Sequence, residues 1–484
     1  MTSDDATDPW RWDAATTAAR VRSGAVTAAD VVRSHLARLD AVNPALNAVT
    51  RRDDAAALAA AEAVDDDRRA GRPLGPLAGV PVTIKDSTDV AGQSSPNGVP
   101  ALDAVVASDD APLVGHLRRA GAVIIGRSNA PEFSWRWHTD NPLFGPTRNP
   151  WDPTVTPGGS SGGAAAAVAA GIGALAHGSD AGGSLRWPAM CCGAVTLRPT
   201  QHRVPAHNVT AGAERSPAID AMAVHGVIAR RVADVQLTMP VLVQPSWRDP
   251  AHVPVPFGPP PGPGRARRAG VCLDIGVPLH DAVAGAVAEA ADRLRRAGWQ
   301  VEPVAAPGLV EAARNWERWL ATDFALTSGP TFRRLGSPAL HPMLDVLAER
   351  AGPVLDLAGY LDLLAARAAL VRRWQQLLTE SVDVLLLPVC AEPPWPAGDD
   401  LTGSDRLAQL FDANTPLVAV NFLGLPAAAL PTGLHRGVPV GVQLVAARFA
   451  DATALDAAAA VESGGDRFDE LLWARPQPAG PAGG

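Results

Sequence analysis

The stretch "TPGGSSGGAAAAVAAG", residues 156–171, sets two adjacent serines, Ser160 and Ser161, between two pairs of glycines. A second stretch, "GSDAGGSLR" at 178–186, places Ser184 directly after another glycine pair. A serine hydroxyl attacks a carbonyl carbon once a base takes its proton and donors stand ready for the oxyanion. Ala181, Gly182 and Gly183 offer consecutive backbone N–H groups with little side chain in the way, a nest suited to an oxyanion. Gly/Ser-rich loops are more often plain connections. The functional reading therefore depends on whether the two loops meet and on where the base comes from.

Two sources of a base compete. Residues 158–162 fit GxSxG, the nucleophile elbow, whose serine follows a buried strand directly. Here prolines at 150, 153 and 157 precede it, and proline argues against a central strand. His177 lies close in sequence, and a histidine from elsewhere in the fold stays open. Lys85 ends the apolar run "GVPVTIK". Burial there would disfavour the ammonium form and leave a neutral amine able to accept a proton. A lysine at a strand end is usually a surface residue, so its weight comes from context.

The elements that would position these groups read as alternating strand and helix. "LAGVPVTIKD" (77–86) is apolar and β-branched, as in a buried strand, and 112–129 reads as helix, glycine, strand. Such alternation predicts an α/β fold with a largely covered sheet. Before it, Thr27 caps a helix with Val31, Val32, Leu36, Leu39 and Val42 at helical spacing, and 53–71 reads as a second helix ending at glycine. From 269 another strand–helix–strand unit follows. Its helix has Asp281 as N-cap, Gly298 as stop, and Val283, Val287, Ala290 and Leu294 on one face. Residues 309–380 read as a helical excursion, and 382–390 and 438–446 as strands. The proline-rich 253–268 reads as an extended surface connection. One large domain is expected: a helical segment 1–72 packed on the core, a main body 73–470, and a flexible tail 471–484.

Composition narrows the class. In 484 residues, 47% are hydrophobic and 19% charged, enough for a sizeable core and too few charges for a disordered chain. A formal charge of −8 gives no footprint for nucleic acid or an anionic membrane, and the "RARR" cluster at 265–268 reads as a solvated loop. Cys191, Cys192, Cys272 and Cys390 form no CxxC, so neither a disulfide framework nor a zinc site is suggested. The acidic start "MTSDDATDPW" lacks a signal peptide's apolar region, and the longest apolar run, 163–176, is too short for a bilayer. These observations point to a soluble, cytoplasmic protein.

"GVPVTIKDSTDVAG", "GRSNAPEF", "NPLFGPTRNPWDPTVTPGGSSGGAAAAVAAG", "GSDAGGSLRWPA" and "CGAVTLRPT" occur in that order, followed by "GLPAAALPTGLHRGVPVGVQLVA" at 424–446. Together they resemble the amidase signature family over about residues 20–460. The resemblance implies an α/β fold with a mixed central sheet covered by helices, and a Ser–cis-Ser–Lys triad. In that triad Ser184 would be acylated, Ser160 would be the bridging serine after a cis peptide bond, and Lys85 would be the base. Ala181, Gly182 and Gly183, with Ser184 itself, would form the oxyanion hole, supported by Ser161, Asp180 and Arg186. The implied reaction is hydrolysis of a small-molecule amide through an acyl-enzyme, with no metal or organic cofactor and no nucleic-acid or membrane partner. A homodimer stays open. Broad-range amidases and hydrolases of linear or cyclic amide oligomers are the nearest likeness. A glutaminase subunit of a tRNA-dependent amidotransferase, and an acyl-transferring enzyme, are the alternatives on the same scaffold.

Departures from the family pattern are Thr196 and His202 where glycines are usual and Ser87 where asparagine is common. None touches the triad. His138 and His177 read as structural histidines, and Cys191 and Cys192 as buried packing. Trp135 and Trp137, in "FSWRWHTDN", fall where this family lines its acyl pocket. If that stretch is extended they share a face and form an aromatic wall, with two core tryptophans as the equal alternative.

Overall fold

In the computed structural model, which describes residues 8–258 and 266–475, eleven strands form one mixed sheet. They are β1 (Val49–Arg51), β2 (Pro81–Lys85), β3 (Val123–Ser128), β4 (Leu175–Asp180), β5 (Val195–Arg198) and β6 (Val224–Ala229). There follow β7 (Arg268–Val271), β8 (Gln300–Pro303), β9 (Val384–Pro388), β10 (Ala427–His435) and β11 (Val438–Ala446). The sheet order is β1-β3-β2-β4-β6-β5-β10-β11-β9-β7-β8. β2 runs parallel to β3 and β4, and β7 parallel to β8 and β9; the other pairs are antiparallel. Among the described residues seventeen α-helices accompany the sheet, and no helix is long and apolar enough to cross a membrane. The expected α/β architecture with a covered mixed sheet is what the chain adopts.

Every residue of β2 is buried, as expected for a strand with neighbours on both sides and cover on both faces. Its last residue is Lys85. β4, parallel beside it, ends on Ser179 and Asp180, so both strands deliver polar side chains to one end of the sheet, where open α/β sheets place their sites. The alanine-rich helix Gly162–Ala169 is buried along its whole length. Its small side chains permit close approach: a Cβ at Gly163 would lie 2.6 Å from the carbonyl oxygen of Asn129.

The N-terminal helices form as their spacing predicts. Thr27 accepts from the amide of Asp30, and Val31, Val32, Leu36, Leu39 and Val42 are buried. The chain between the helices Ala28–Leu46 and Asp54–Arg69 adds β1, a strand too short to show an alternating pattern. The helix Asp281–Arg296 is capped by His280, whose Nδ1 accepts from the amide of Ala282; Asp281 is the first helical residue, not the cap. The helical excursion is Leu309–Leu326, Gly329–Leu335, His341–Ala351 and Leu357–Gln376. The tail read from 471 does not start there. Helix Phe468–Trp473 buries Leu472, and Trp473 donates to Ala169 O at 2.9 Å with its ring edge-on to Trp10. Residues 476–484 of that tail, and 259–265 of the proline-rich connection, lie outside the described residues.

Candidate active site

The two serine loops meet at the end of β2. Lys85, fully buried, places its Nζ 2.7 Å from Ser160 Oγ and 3.0 Å from Ser179 Oγ. The Gly159–Ser160 peptide bond is cis. Gly158 has a φ of +80°, which favours glycine, and a Cβ there would lie 2.5 Å from Cα of Pro188. No β-strand precedes Ser160 directly, so the elbow geometry is absent at this serine. Ser161 Oγ donates to Ser179 O and accepts from Ser179 N, both at 3.3 Å, and so ties the first loop to the end of β4.

Asp180 fixes the second loop. Its Oδ1 accepts from the amide of Gly183 at 2.8 Å and from Asn421 Nδ2 at 2.8 Å. Its Oδ2 accepts from the amide of Leu185 at 3.2 Å and from Arg186 Nε at 3.0 Å. Arg186 continues to Gln443 Oε1 at 2.7 Å and Asn421 Oδ1 at 2.6 Å, all of it sealed from solvent. Burial pushes the Asp180 carboxyl up, but Arg186, with Arg198 and Asn421, outweighs that and holds it well below the usual carboxylate range. Asp180 and Arg186, expected from the resemblance to support the loop, are hydrogen-bonded to each other and to its amides. Asn421 and Gln443 complete the network and were not singled out in the sequence.

The amide run differs from expectation at one position. Gly183 has a φ of +100°, and its N–H points at Asp180, leaving it committed inside the protein. Among the described residues, the amides of Ala181, Gly182 and Ser184 donate to no other protein group. Three of the four amides, not all four, are thus left without a protein acceptor.

Burial lowers the Lys85 amine to about 7, although the carboxylates of Asp180 and Asp86 pull it upward. It is thus a base near neutrality. The histidines are placed otherwise. His138 Nδ1 pairs with Thr156 Oγ1 at 2.9 Å, and His177 Nε2 with His225 Nδ1 at 3.0 Å. Burial lowers them to about 4 and about 3, so both are neutral at working pH, and neither hydrogen-bonds Lys85, Ser160 or Ser184. Cys191 and Cys192 are buried free thiols, raised by burial. Among the described residues no group of three or more His, Cys, Asp or Glu is placed to hold a metal ion.

Ser184, 8% exposed, borders a pocket of about 480 Å³ including its mouth. Aromatic walls come from Trp135, Trp137, Trp316 and Phe411, with Met343 and Leu347 beyond. Trp135 and Trp137 both line it, yet the stretch is not extended: Phe133 and Ser134 have φ of +52° and +62°. Trp135 is half-buried against Phe324, whereas Trp137 is buried, edge-on to Phe411, and donates to Gly182 O at 2.8 Å. Trp316 comes from the helical excursion, and nothing in its neighbourhood marked it in the sequence.

A pocket lined by Ser184 and the backbone of Ala181 and Gly182, with Lys85 buried against Ser160 and Ser179, is an arrangement with the groups that acyl chemistry needs. The Amidase family pattern matches residues 30–455, and the chain belongs to that family. It is 44% identical over 467 residues to the indoleacetamide hydrolase of Bradyrhizobium diazoefficiens, spanning 96% of this chain and 88% of the relative. It is 34% identical over 459 residues to a glutamyl-tRNA(Gln) amidotransferase subunit of Moorella thermoacetica, spanning 88% of this chain and 91% of the relative. The solved structure of a bacterial aryl acylamidase of the amidase signature family aligns with a TM-score of 0.84 at 28% identity, over 97% of this chain and all of that one. The protein is an amidase that hydrolyses carboxylic amides of small molecules.

Proposed function

We propose that this amidase hydrolyses the primary amide of an aryl- or indolyl-acetic acid, with Ser184 as nucleophile, Ser160 as bridge and Lys85 as base. The observation that carries the substrate class is the aromatic pocket of Trp135, Trp137, Trp316 and Phe411 ending at Ser184. The likeness to an indoleacetamide hydrolase supports the same choice. Ser184 Oγ attacks the carbonyl carbon while its proton passes to Ser160 Oγ, and the proton of Ser160 passes to neutral Lys85. The oxyanion is received by the amides of Ala181, Gly182 and Ser184. Collapse breaks the C–N bond, and the proton returns from Lys85 through Ser160 to the departing ammonia. Water then repeats the sequence on the acyl ester and releases the carboxylate. The enzyme acts on a free small molecule in the cytoplasm, with no nucleic-acid partner.

Ammonia release from indole-3-acetamide, phenylacetamide, acetamide and glutamine tests the substrate class. Both aryl amides should exceed acetamide in kcat/KM by at least tenfold, since one large apolar contact is worth about 1–3 kcal/mol. Activity confined to glutamine would overturn the reading in favour of a glutaminase subunit.

A further inference from the structure

We propose that Trp316 is a positioning residue that aims the Gly182 oxyanion amide through its indole N–H, and that Trp137 does the same for the adjoining peptide plane that anchors it, beyond their role as pocket walls. This rests on the reading that Ser184 is acylated and its neighbouring amides receive the oxyanion. Ala181 and Gly182 follow β4 and belong to no helix or strand, so no ladder fixes their peptide planes. Two indoles do so instead. Trp316 Nε1 donates to Ala181 O at 2.8 Å, and Trp137 Nε1 donates to Gly182 O at 2.8 Å.

In a trans peptide the C=O and the following N–H point in opposite directions across one rigid plane. Holding Ala181 C=O against Trp316 therefore turns the Gly182 N–H away from that indole, and this amide is one of those left without a protein acceptor. Holding Gly182 C=O against Trp137 turns the Gly183 N–H the other way, where it meets Asp180 Oδ1 at 2.8 Å. Two planes are thus set by three hydrogen bonds, two of them from tryptophan.

The indoles are themselves held. The carbonyl of Trp137 accepts from Trp187 Nε1 at 3.0 Å, and its ring meets Phe411 edge-on at 4.9 Å. Trp316 lies on the helix Leu309–Leu326 and presses on the loop: a Cβ at Gly182 would sit 2.9 Å from its Cζ2. The glycine at 182 is thus required by the tryptophan that orients it. Each indole lines the pocket and gives its N–H to the loop.

Truncation would remove wall and hydrogen bond together, so the test must delete the N–H alone. Trp316→3-benzothienylalanine, made by codon suppression, keeps the bicyclic shape and replaces the N–H by sulfur; the same change at Trp137 gives a second variant. Three quantities are read: kcat and KM for phenylacetamide, the rate of Ser184 labelling by a fluorophosphonate, and the thermal midpoint. Losing an oxyanion donor outright costs about 100- to 1,000-fold, and misaiming one costs less. We expect kcat and the labelling rate to fall together, about 10- to 100-fold, with KM changed less than about 3-fold and the midpoint nearly constant. Unchanged kcat and labelling in both variants would overturn the proposal. So would a raised KM or a lowered midpoint with kcat preserved, which is the mark of a wall or packing residue. Failure of the underlying reading looks different: Ser184→Ala would still hydrolyse amide, or the label would appear on another residue of the parent enzyme.

Discussion

If Lys85 is the base, kcat/KM must follow the neutral fraction of its amine. Burial brings that amine from 10.5 to about 7. A group at about 7 is roughly 9% neutral at pH 6, half neutral at pH 7 and about 91% neutral at pH 8, whereas an unshifted lysine is neutral in only about 3 molecules per 10,000 at pH 7. Log kcat/KM for phenylacetamide should therefore climb with unit slope below pH 7 and level off by about pH 8, roughly tenfold in all between pH 6 and 8. His177 and His138, lowered to about 3 and about 4, are deprotonated throughout and add no inflection. Initial rates of ammonia release at constant ionic strength give the profile directly.

The same shift has a signature in stability. The folded protein releases the Lys85 proton at about 7, and the unfolded chain keeps it until about 10.5. Between these values the unfolded state binds more protons, so stability rises with pH through that window; below about pH 7 the penalty is fully present. Its size is about 1.4 kcal/mol per pH unit over the window, of order 5 kcal/mol in all. Lys85→Met removes the titrating group while filling a similar volume. Its stability relative to the parent should be greatest at pH 6–7 and shrink toward pH 10, and its activity should be lost with its pH rise. A midpoint near 10, a rise that survives in Lys85→Met, or parallel stability curves for the two proteins would each refute the lysine-base reasoning.

Other outcomes follow from the geometry. Ser184 should carry the adduct when the enzyme is treated with a fluorophosphonate, and peptide mass mapping that puts it on Ser160 would reverse the two serine roles. Trp135→Ala should raise KM for aryl amides more than for acetamide, by about 1–3 kcal/mol in discrimination; equal losses on both, with a lower thermal midpoint, would make Trp135 a packing residue through its contact with Phe324. Arg186→Met should strand the Asp180 carboxylate in a buried site and cost about 3–5 kcal/mol of stability. Urea titration checks this, and a loss below about 1 kcal/mol would mean that Asn421 and the loop amides alone hold Asp180.

The part of this site that was legible in the sequence is the part built from neighbours along the chain. Glycines crowd Ser160 and Ser184 because the backbone must turn and approach closely there, and Lys85 stands out as a charge ending an apolar run. The rest is set by sheet order. β10 and β11 join the sheet beside β5, and the helix Thr415–Leu423 leads into them, so Asn421 reaches Asp180 across 241 residues and Gln443 reaches Arg186 across 257. A lone Asn in "TPLVAVNFLG" and a lone Gln in "VPVGVQLVA" signal a buried polar partner but not which one. Trp316 carried no local signal, and the direction of the Gly183 amide depends on peptide-plane geometry that composition does not encode. These distant residues bear on the chemistry. Asp180 is a negative charge close enough to Lys85 to pull its amine upward and so favour its protonated form at neutral pH. Arg186, Arg198 and Asn421 gather around that carboxylate and offset its field. At Lys85 itself, desolvation outweighs Asp180. The local motif brings Lys85 to the hydroxyls of Ser160 and Ser179, and Asn421, from 241 residues away, helps to hold the carboxylate beside them.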